Sequence, residues 1–137
     1  MDEWIKQVHG SKPLVLVLED DHGVRRSLQL LLQGRGFDVR AYASAEALLA
    51  DPQAAKAGSM LADYRLSASD GIRVLETLRA RGWSGAAILM TAFASDDLTA
   101  RAKSAGFMEV LHKPFRDHAL VTALNRASAL PVGRDRL

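Results

Sequence analysis

The most informative segment of this sequence is Leu14-Val15-Leu16-Val17-Leu18-Glu19-Asp20-Asp21, in which five apolar residues run directly into three acidic ones. A short run that is wholly apolar is typical of a parallel strand that is covered on both faces. The segment therefore predicts a central strand of a parallel sheet, with carboxyl groups gathered at the end where the strand stops.

Strand-like and helix-like segments alternate after this first strand. Val24, Leu28 and Leu31 recur at helical spacing, which predicts an amphipathic helix over about residues 22–35 that stops near Gly36. Further strands are predicted from short apolar runs at 37–41, 59–62, 86–90 and 108–111. Further helices are predicted to begin at Ser44, Asp70 and Ser95, which are good capping residues, and over about residues 116–128. Five strands, each followed by a helix, predict an α/β fold with a parallel sheet and right-handed crossovers.

Length and composition fit one domain. The chain has 137 residues, of which 48% are hydrophobic and 25% are charged, as in ordinary globular proteins. We expect an N-terminal extension over residues 1–12, the domain over residues 13–130 and a C-terminal tail over residues 131–137.

Several classes of protein are excluded by the same composition. The absence of cysteine excludes a disulfide scaffold and thiolate metal sites. The net charge is only +2, and no dense basic cluster is present, so we expect no direct contact with nucleic acid. No apolar run approaches the roughly 18 residues of a membrane span, and no signal peptide is visible. We therefore expect a cytoplasmic protein with no membrane partner.

Polar side chains follow four of the predicted strands at their carboxyl ends. They are Glu19, Asp20 and Asp21 after the first strand, Asp63 after the third, Thr91 after the fourth and Lys113 after the fifth. Ligands of open α/β sheets bind at this edge. Each residue alone also has a structural interpretation, as a helix cap, a turn residue, a loop hydroxyl or a solvated cation. Carboxylates that converge repel each other unless cations lie among them, and Lys113 together with Mg²⁺ would supply those cations.

Four segments in this order resemble the receiver domains of two-component response regulators, over about residues 13 to 130. They are Val15-Leu16-Val17-Leu18-Glu19-Asp20-Asp21, Asp63 with Gly71, Ile88-Leu89-Met90-Thr91-Ala92 and Leu111-His112-Lys113-Pro114-Phe115. The resemblance implies a flavodoxin-like (βα)5 three-layer sandwich, with a parallel five-stranded sheet of order 2-1-3-4-5.

The resemblance also implies a role for each residue of the sheet edge. Asp63 would accept a phosphoryl group from a phosphohistidine on a sensor histidine kinase. Mg²⁺ would be held by Glu19, Asp20, Asp63 and the backbone carbonyl of Arg65. Lys113 and the Thr91 hydroxyl would contact phosphoryl oxygens, and Asp21 would cap the first helix. These parts suffice for phosphoryl transfer, which needs positioning and charge neutralisation more than a separate base.

As a signalling domain, the chain would catalyse only its own phosphorylation and dephosphorylation. The expected partners are the kinase and either a downstream effector protein or a phosphotransfer protein, and a homodimer is a further expected form. The kinase would dock near the first helix and Phe115. The downstream partner would bind to a surface formed by the fourth and fifth helices and the fifth strand. Neither the identity of these partners nor whether the chain acts alone or within a larger regulator follows from the sequence.

Two positions depart from the family pattern. Ser67 stands where a proline is common, which is expected to make that loop more mobile. Val110 stands where a tyrosine or phenylalanine usually changes rotamer with the threonine, a movement that a β-branched valine does not make. Phe93 or Phe107 could replace that aromatic residue, although core packing is the favoured role for both.

Val110 keeps open the alternative of a receiver-like interaction module that works without phosphorylation. A flavin-binding or nucleotide-binding flavodoxin-like module fits less well, because Glu19, Asp20 and Asp21 would repel a phosphate. An aspartyl phosphatase would need an Asp-x-Asp motif after the first strand, which is not present. We also hypothesise that Phe93 and Arg65 shield a phosphoryl group on Asp63 from water and so tune its lifetime.

Overall fold

A five-stranded sheet forms the centre of the molecule, and its three central strands are buried at nearly every position. The computed structural model describes residues 12–93 and 95–128. The five strands are β1 (Leu14–Leu18), β2 (Asp38–Tyr42), β3 (Ser59–Asp63), β4 (Ala86–Thr91) and β5 (Phe107–His112). The helices are α1 (His22–Gly34), α2 (Ala45–Ala50), α3 (Gly71–Ala80), α4 (Asp96–Ala105) and α5 (Asp117–Ser128), with a 3₁₀ turn at Pro52–Lys56.

All five strands are parallel, in the order β2-β1-β3-β4-β5. This is the flavodoxin-like order that the family resemblance implied, and the prediction is confirmed. The predicted strands lie within one residue of the observed bounds at each end. Because all the strands run in the same direction, the residues that follow β1, β3, β4 and β5 lie at one edge of the sheet. We call it the carboxyl edge.

The hydrophobic core lies in two layers, one on each face of the sheet. Successive strand side chains point to opposite faces, so Leu16 and Leu18 of β1 join one layer while Val15 and Val17 join the other. The first layer contains buried side chains of α2, α3 and α4, and the second contains those of α1 and α5. The domain is therefore the expected three-layer sandwich.

Helix starts agree with the capping residues read from the sequence. The side chains of Asp21, Ser44, Asp70 and Ser95 each accept a hydrogen bond from the backbone N–H three residues further on, at 2.9 to 3.1 Å. These caps satisfy N–H groups that lack partners within the helix. The capping role expected of Asp21 is confirmed, which separates this residue from the other acidic residues beside it.

Aromatic and apolar side chains differ in whether they are buried in the core or exposed. Phe107 is buried, as expected for packing. Trp83 is also buried, and its indole N–H donates to the carbonyl oxygen of Ala57 at 2.8 Å. Phe93 is 53% exposed, so the packing interpretation is wrong for this residue, because it lies in the loop after β4 rather than on a core-facing element. On α1, Leu28 is buried but Val24 is 40% exposed.

The predicted extension at residues 1–12 falls almost wholly outside the described residues, and the predicted tail at residues 131–137 falls wholly outside them. The domain boundaries therefore stay predictions. None of the helices in the described ranges is long and apolar enough to cross a membrane.

Gly71 begins α3 where the helix is pressed against the sheet. A Cβ atom added there would lie 2.6 Å from the backbone oxygen of Asp63 and 2.9 Å from a methyl group of Leu89. Both neighbours are held in the core, so neither can move away cheaply. We expect Gly71→Ala to lower the free energy of unfolding by about 1–3 kcal/mol, as overpacking does, measured by urea denaturation.

Gly34→Ala is the matched control for that variant. A Cβ atom on Gly34, the last residue of α1, meets nothing within 4 Å. Because alanine favours helix over glycine, this change should leave the stability unchanged or raise it by up to about 1 kcal/mol. Equal effects of the two substitutions would contradict the close packing at Gly71.

Candidate functional site

The acidic residues meet at the carboxyl edge because β1 and β3 are neighbours. Leu18 pairs with Ala62 in the register of these strands, so the residues that follow, Glu19 and Asp63, emerge side by side. One carboxylate oxygen from each of Glu19, Asp20 and Asp63 lies within 4.8 Å of the others. Glu19 and Asp63 are buried, whereas Asp20 is exposed at the rim of this acidic pocket.

Lys113 supplies a cation to the two buried carboxylates. Its Nζ donates to Glu19 Oε1 at 3.0 Å and to Asp63 Oδ2 at 3.1 Å. The position of the lysine is set by β5, which ends at the preceding residue, and by its own backbone N–H, which donates to the Thr91 carbonyl at 2.7 Å. Residues separated by 50 and 94 positions in the chain therefore form one ionic cluster.

Burial and neighbouring groups shift the pKa values of Glu19 and Lys113 in this cluster. Burial raises the pKa of Glu19; the hydrogen bonds from the Asp21 N–H and from Lys113 oppose that rise, and the charge of Asp63 adds to it. Burial lowers the pKa of Lys113, but the hydrogen bonds to Glu19 and Asp63 and the negative charges of these two residues together outweigh burial and raise it overall. The lysine thus stays protonated at neutral pH.

The cluster has three carboxyl groups and one ammonium group, so a further cation would help to balance its charge. The donors are carboxylate oxygens, which are the ligands that hard divalent cations such as Mg²⁺ prefer. The arrangement of Glu19, Asp20 and Asp63 therefore fits a small hard cation.

Thr91 lies at the end of β4, next to the residue that pairs with Asp63. Its side chain is buried, and its hydroxyl oxygen accepts a hydrogen bond from the Phe93 N–H at 2.9 Å. The Arg65 guanidinium stacks over the exposed Phe93 ring, 3.9 Å from the ring centroid. A hydroxyl at the carboxyl edge is thereby linked to an exposed cation–π pair.

Two contacts at the pocket were missed by sequence reasoning. The Ser67 hydroxyl donates to Asp20 Oδ2 at 3.1 Å, although Ser67 was noted only as a departure from a pattern. The Arg25 Nη1 donates to the backbone oxygen of Glu19 at 2.9 Å, and the sequence pattern gave no indication of this contact. Both contacts depend on loop geometry and side-chain rotamers.

The sequence matches a known family and several curated proteins. Residues 15–125 match the family described as response regulator receiver domain. The chain is 37% identical over 114 residues to the transcriptional regulatory protein FixJ of Azorhizobium caulinodans, covering 83% of this chain and 54% of FixJ. It is 31% identical over 122 residues to the C4-dicarboxylate transport transcriptional regulatory protein DctR of Rhodobacter capsulatus, covering 88% of this chain and 62% of DctR.

Solved structures share the same fold. The chemotaxis protein CheY4 of Vibrio cholerae superimposes with a TM-score of 0.79 at 23% identity, covering 85% of this chain and 98% of CheY4. A response regulator receiver protein from Pseudoalteromonas atlantica gives a TM-score of 0.78 at 27% identity, covering 85% of this chain and 97% of that protein.

The family match, together with the fold, places this chain in a class of two-component signalling domains. The chain belongs to the response regulator receiver domain family. It spans about half the length of the first curated relatives it matches, 54% in the case of FixJ.

Removing the Lys113 charge should destabilise the fold. Lys113→Met leaves two buried carboxylates without their ammonium partner, which we expect to cost about 1–3 kcal/mol at pH 7 because the lysine is partly solvated. The cost should shrink toward acidic pH, since protonation of Glu19, whose pKa burial raises, removes one unpaired charge. Urea denaturation at pH 7 and at mildly acidic pH measures both effects.

Two further variants complete this test. Lys103→Met removes an exposed ammonium from the last turn of α4 and should change stability by no more than about 0.5 kcal/mol. The double variant Lys113→Met, Asp63→Asn should recover part of the loss, because it removes one of the stranded charges. A pH-independent loss, or no recovery, would contradict the ionic role of Lys113.

Proposed function

We propose that this chain accepts a phosphoryl group on Asp63 from a phosphohistidine of a sensor histidine kinase, with Mg²⁺ bound in the acidic pocket. The observation that carries the proposal is the contact between Lys113 Nζ and Asp63 Oδ2 at 3.1 Å, inside a cluster of three carboxylates. A lysine held against a buried aspartate at the carboxyl edge places positive charge where a phosphoryl group on that aspartate would carry its negative charge.

In the proposed transfer, an Asp63 carboxylate oxygen forms a bond to phosphorus while the phosphorus–nitrogen bond to the donor histidine breaks. The attacking group is a carboxylate rather than an alcohol, so no general base is needed to activate it. Lys113 would exchange its contact with Asp63 for a phosphoryl oxygen, and the Thr91 hydroxyl would bond another. The step depends on positioning and charge neutralisation.

The metal site is proposed to use side-chain oxygens of Glu19, Asp20 and Asp63 together with the backbone carbonyl of Arg65. When bound there, Mg²⁺ would neutralise charge on the phosphoryl oxygens. The role of Glu19 is proposed to run through metal-bound water. Support for this set comes from the proximity of the three carboxylates and from the excess of negative charge beside Lys113.

The output of phosphorylation is proposed to involve the loop after β4. Val110 is partly buried against the core and has no ring to rotate, and Phe107 is buried. Phe93 is the exposed aromatic, and its backbone N–H is bonded to the hydroxyl of Thr91. If Thr91 turns toward a phosphoryl group, this hydrogen bond is lost and the surface around Phe93 changes. The face of α4, β5 and α5 is the proposed partner surface.

The kinase is proposed to dock beside the pocket. A groove of about 780 Å³ runs between α1 and the segment after β5, and its lining includes Val24, Leu28, Lys113 and Phe115. This groove opens next to Lys113, so a helical partner seated there would present its phosphohistidine to Asp63.

The regulators named above are transcriptional regulators, and each is longer than the matched segment. For this chain we propose a downstream effector or phosphotransfer protein as the reader of the phosphorylated state. A cytoplasmic location and a homodimer stay predictions.

Phosphorylation is tested directly with acetyl phosphate and Mg²⁺. We expect the intact mass of the protein to rise by one phosphoryl group, and Asp63→Asn to abolish the increase because the nucleophilic carboxylate is lost. Asp70→Asn is the matched control, since asparagine caps a helix as well as aspartate, and it should be phosphorylated like the wild type.

An unmodified mass under these conditions would contradict the proposal and favour the alternative that Val110 raises, a receiver-like interaction module that works without phosphorylation. A modified Asp63→Asn variant would instead show that another residue is the acceptor.

Phe93 and Arg65 are proposed to limit the access of water to the phosphoryl group. Their stacked side chains follow Thr91 and Asp63 by two residues each. We expect Phe93→Ala to shorten the half-life of phosphorylated Asp63 by about 2- to 10-fold, roughly 0.4–1.4 kcal/mol of barrier. Decay is followed by mass spectrometry after removal of acetyl phosphate, with Leu30→Ala on the exposed face of α1 as control. An unchanged half-life would count against the shielding role.

A further inference from the structure

The turn between β3 and α3 reaches back to the rim of the acidic pocket. Arg65 and Asp70 form an antiparallel bridge at its base, and the Leu66 N–H donates to the Ser69 carbonyl at 3.2 Å. Ser67 therefore lies at the tip of a tightly closed turn. From that tip its hydroxyl donates to Asp20 Oδ2 at 3.1 Å, a contact between residues 47 positions apart.

Asp20 has few other constraints on its side chain. It follows the last paired residue of β1, Leu18, by two positions, and it is exposed. An exposed carboxylate samples several rotamers, and fixing one of them upon cation binding costs conformational entropy. A hydroxyl that already holds Oδ2 reduces this cost and still leaves Oδ1 free for a cation.

We propose that Ser67 is a positioning residue for the metal site, which orients the Asp20 carboxylate before the cation arrives. The inference rests on the proposed function, because it assumes that Asp20 is a metal ligand. Residues that hydrogen-bond to metal ligands fix the orientation of those ligands and raise the affinity of the site. The proline that is common at this position in the family pattern has no hydroxyl and could not make this contact.

The contact also ties the acidic pocket to the turn that follows Asp63. The hydroxyl is not needed to close that turn, because the backbone bridge and the Leu66–Ser69 hydrogen bond do so. The positioning role is therefore separable from folding. Removal of the hydroxyl should weaken cation binding without changing the stability of the metal-free protein.

The test is a calorimetric titration of the full chain with MgCl₂, repeated with Mn²⁺ followed by electron paramagnetic resonance. We expect Ser67→Ala to weaken the binding of both metals by about 3- to 10-fold, less than the roughly 10- to 100-fold that is usual for such residues, because the contact is exposed. Ser67→Thr keeps a hydroxyl and should bind within about 2-fold of the wild type. Ser69→Ala, in the same turn, should also bind like the wild type. Urea denaturation without metal should give the same midpoint for all four proteins.

Each contrary result has a distinct meaning. If the wild type binds Mg²⁺ and Asp20→Asn weakens it, but Ser67→Ala binds as tightly as the wild type, the positioning role is wrong while the proposed function stands. If Ser67→Thr is as weak as Ser67→Ala, or if Ser69→Ala is equally weak, the effect comes from the packing of the turn and the positioning role is again wrong. If the wild type shows no saturable Mg²⁺ binding, the proposed metal site fails and the inference fails with it.

Discussion

The structure depends on the neutralisation of two buried carboxylates by one lysine. Glu19 and Asp63 lie side by side because their strands are neighbours, and a buried pair of like charges is unfavourable without a cation. Lys113 supplies that cation at 3.0 and 3.1 Å. The contact requires β1, β3 and β5 to be placed in one parallel sheet, so the fold and the acidic pocket are two consequences of the same strand order.

Most of the fold followed from the sequence because its signals are local. Apolar runs marked the strands, and Asp21, Ser44, Asp70 and Ser95 marked helix starts through hydrogen bonds that span only three residues. The order of the strands came from the family resemblance. The proximity of Asp63, Glu19 and Lys113 then followed from the rule that ligands gather where parallel strands end.

The remaining features could not be read from the sequence. The contact of Ser67 with Asp20 depends on how one turn folds back across the pocket, and the exposure of Phe93 depends on a loop whose apolar side chain has no core to enter. No periodicity or spacing encodes either arrangement, because both are set by side-chain rotamers in irregular segments.

The central claim is that Asp63, Lys113 and a divalent cation form one phosphoryl-binding site. A crystal structure of the protein with Mg²⁺ and beryllofluoride, a phosphoryl mimic, tests this most directly. We expect beryllofluoride on an Asp63 oxygen, the Lys113 ammonium and the Thr91 hydroxyl on its fluorines, and Mg²⁺ held by Asp63 and Asp20. Beryllofluoride bound elsewhere, or a lysine turned away from Asp63 in a site that holds the metal, would contradict it.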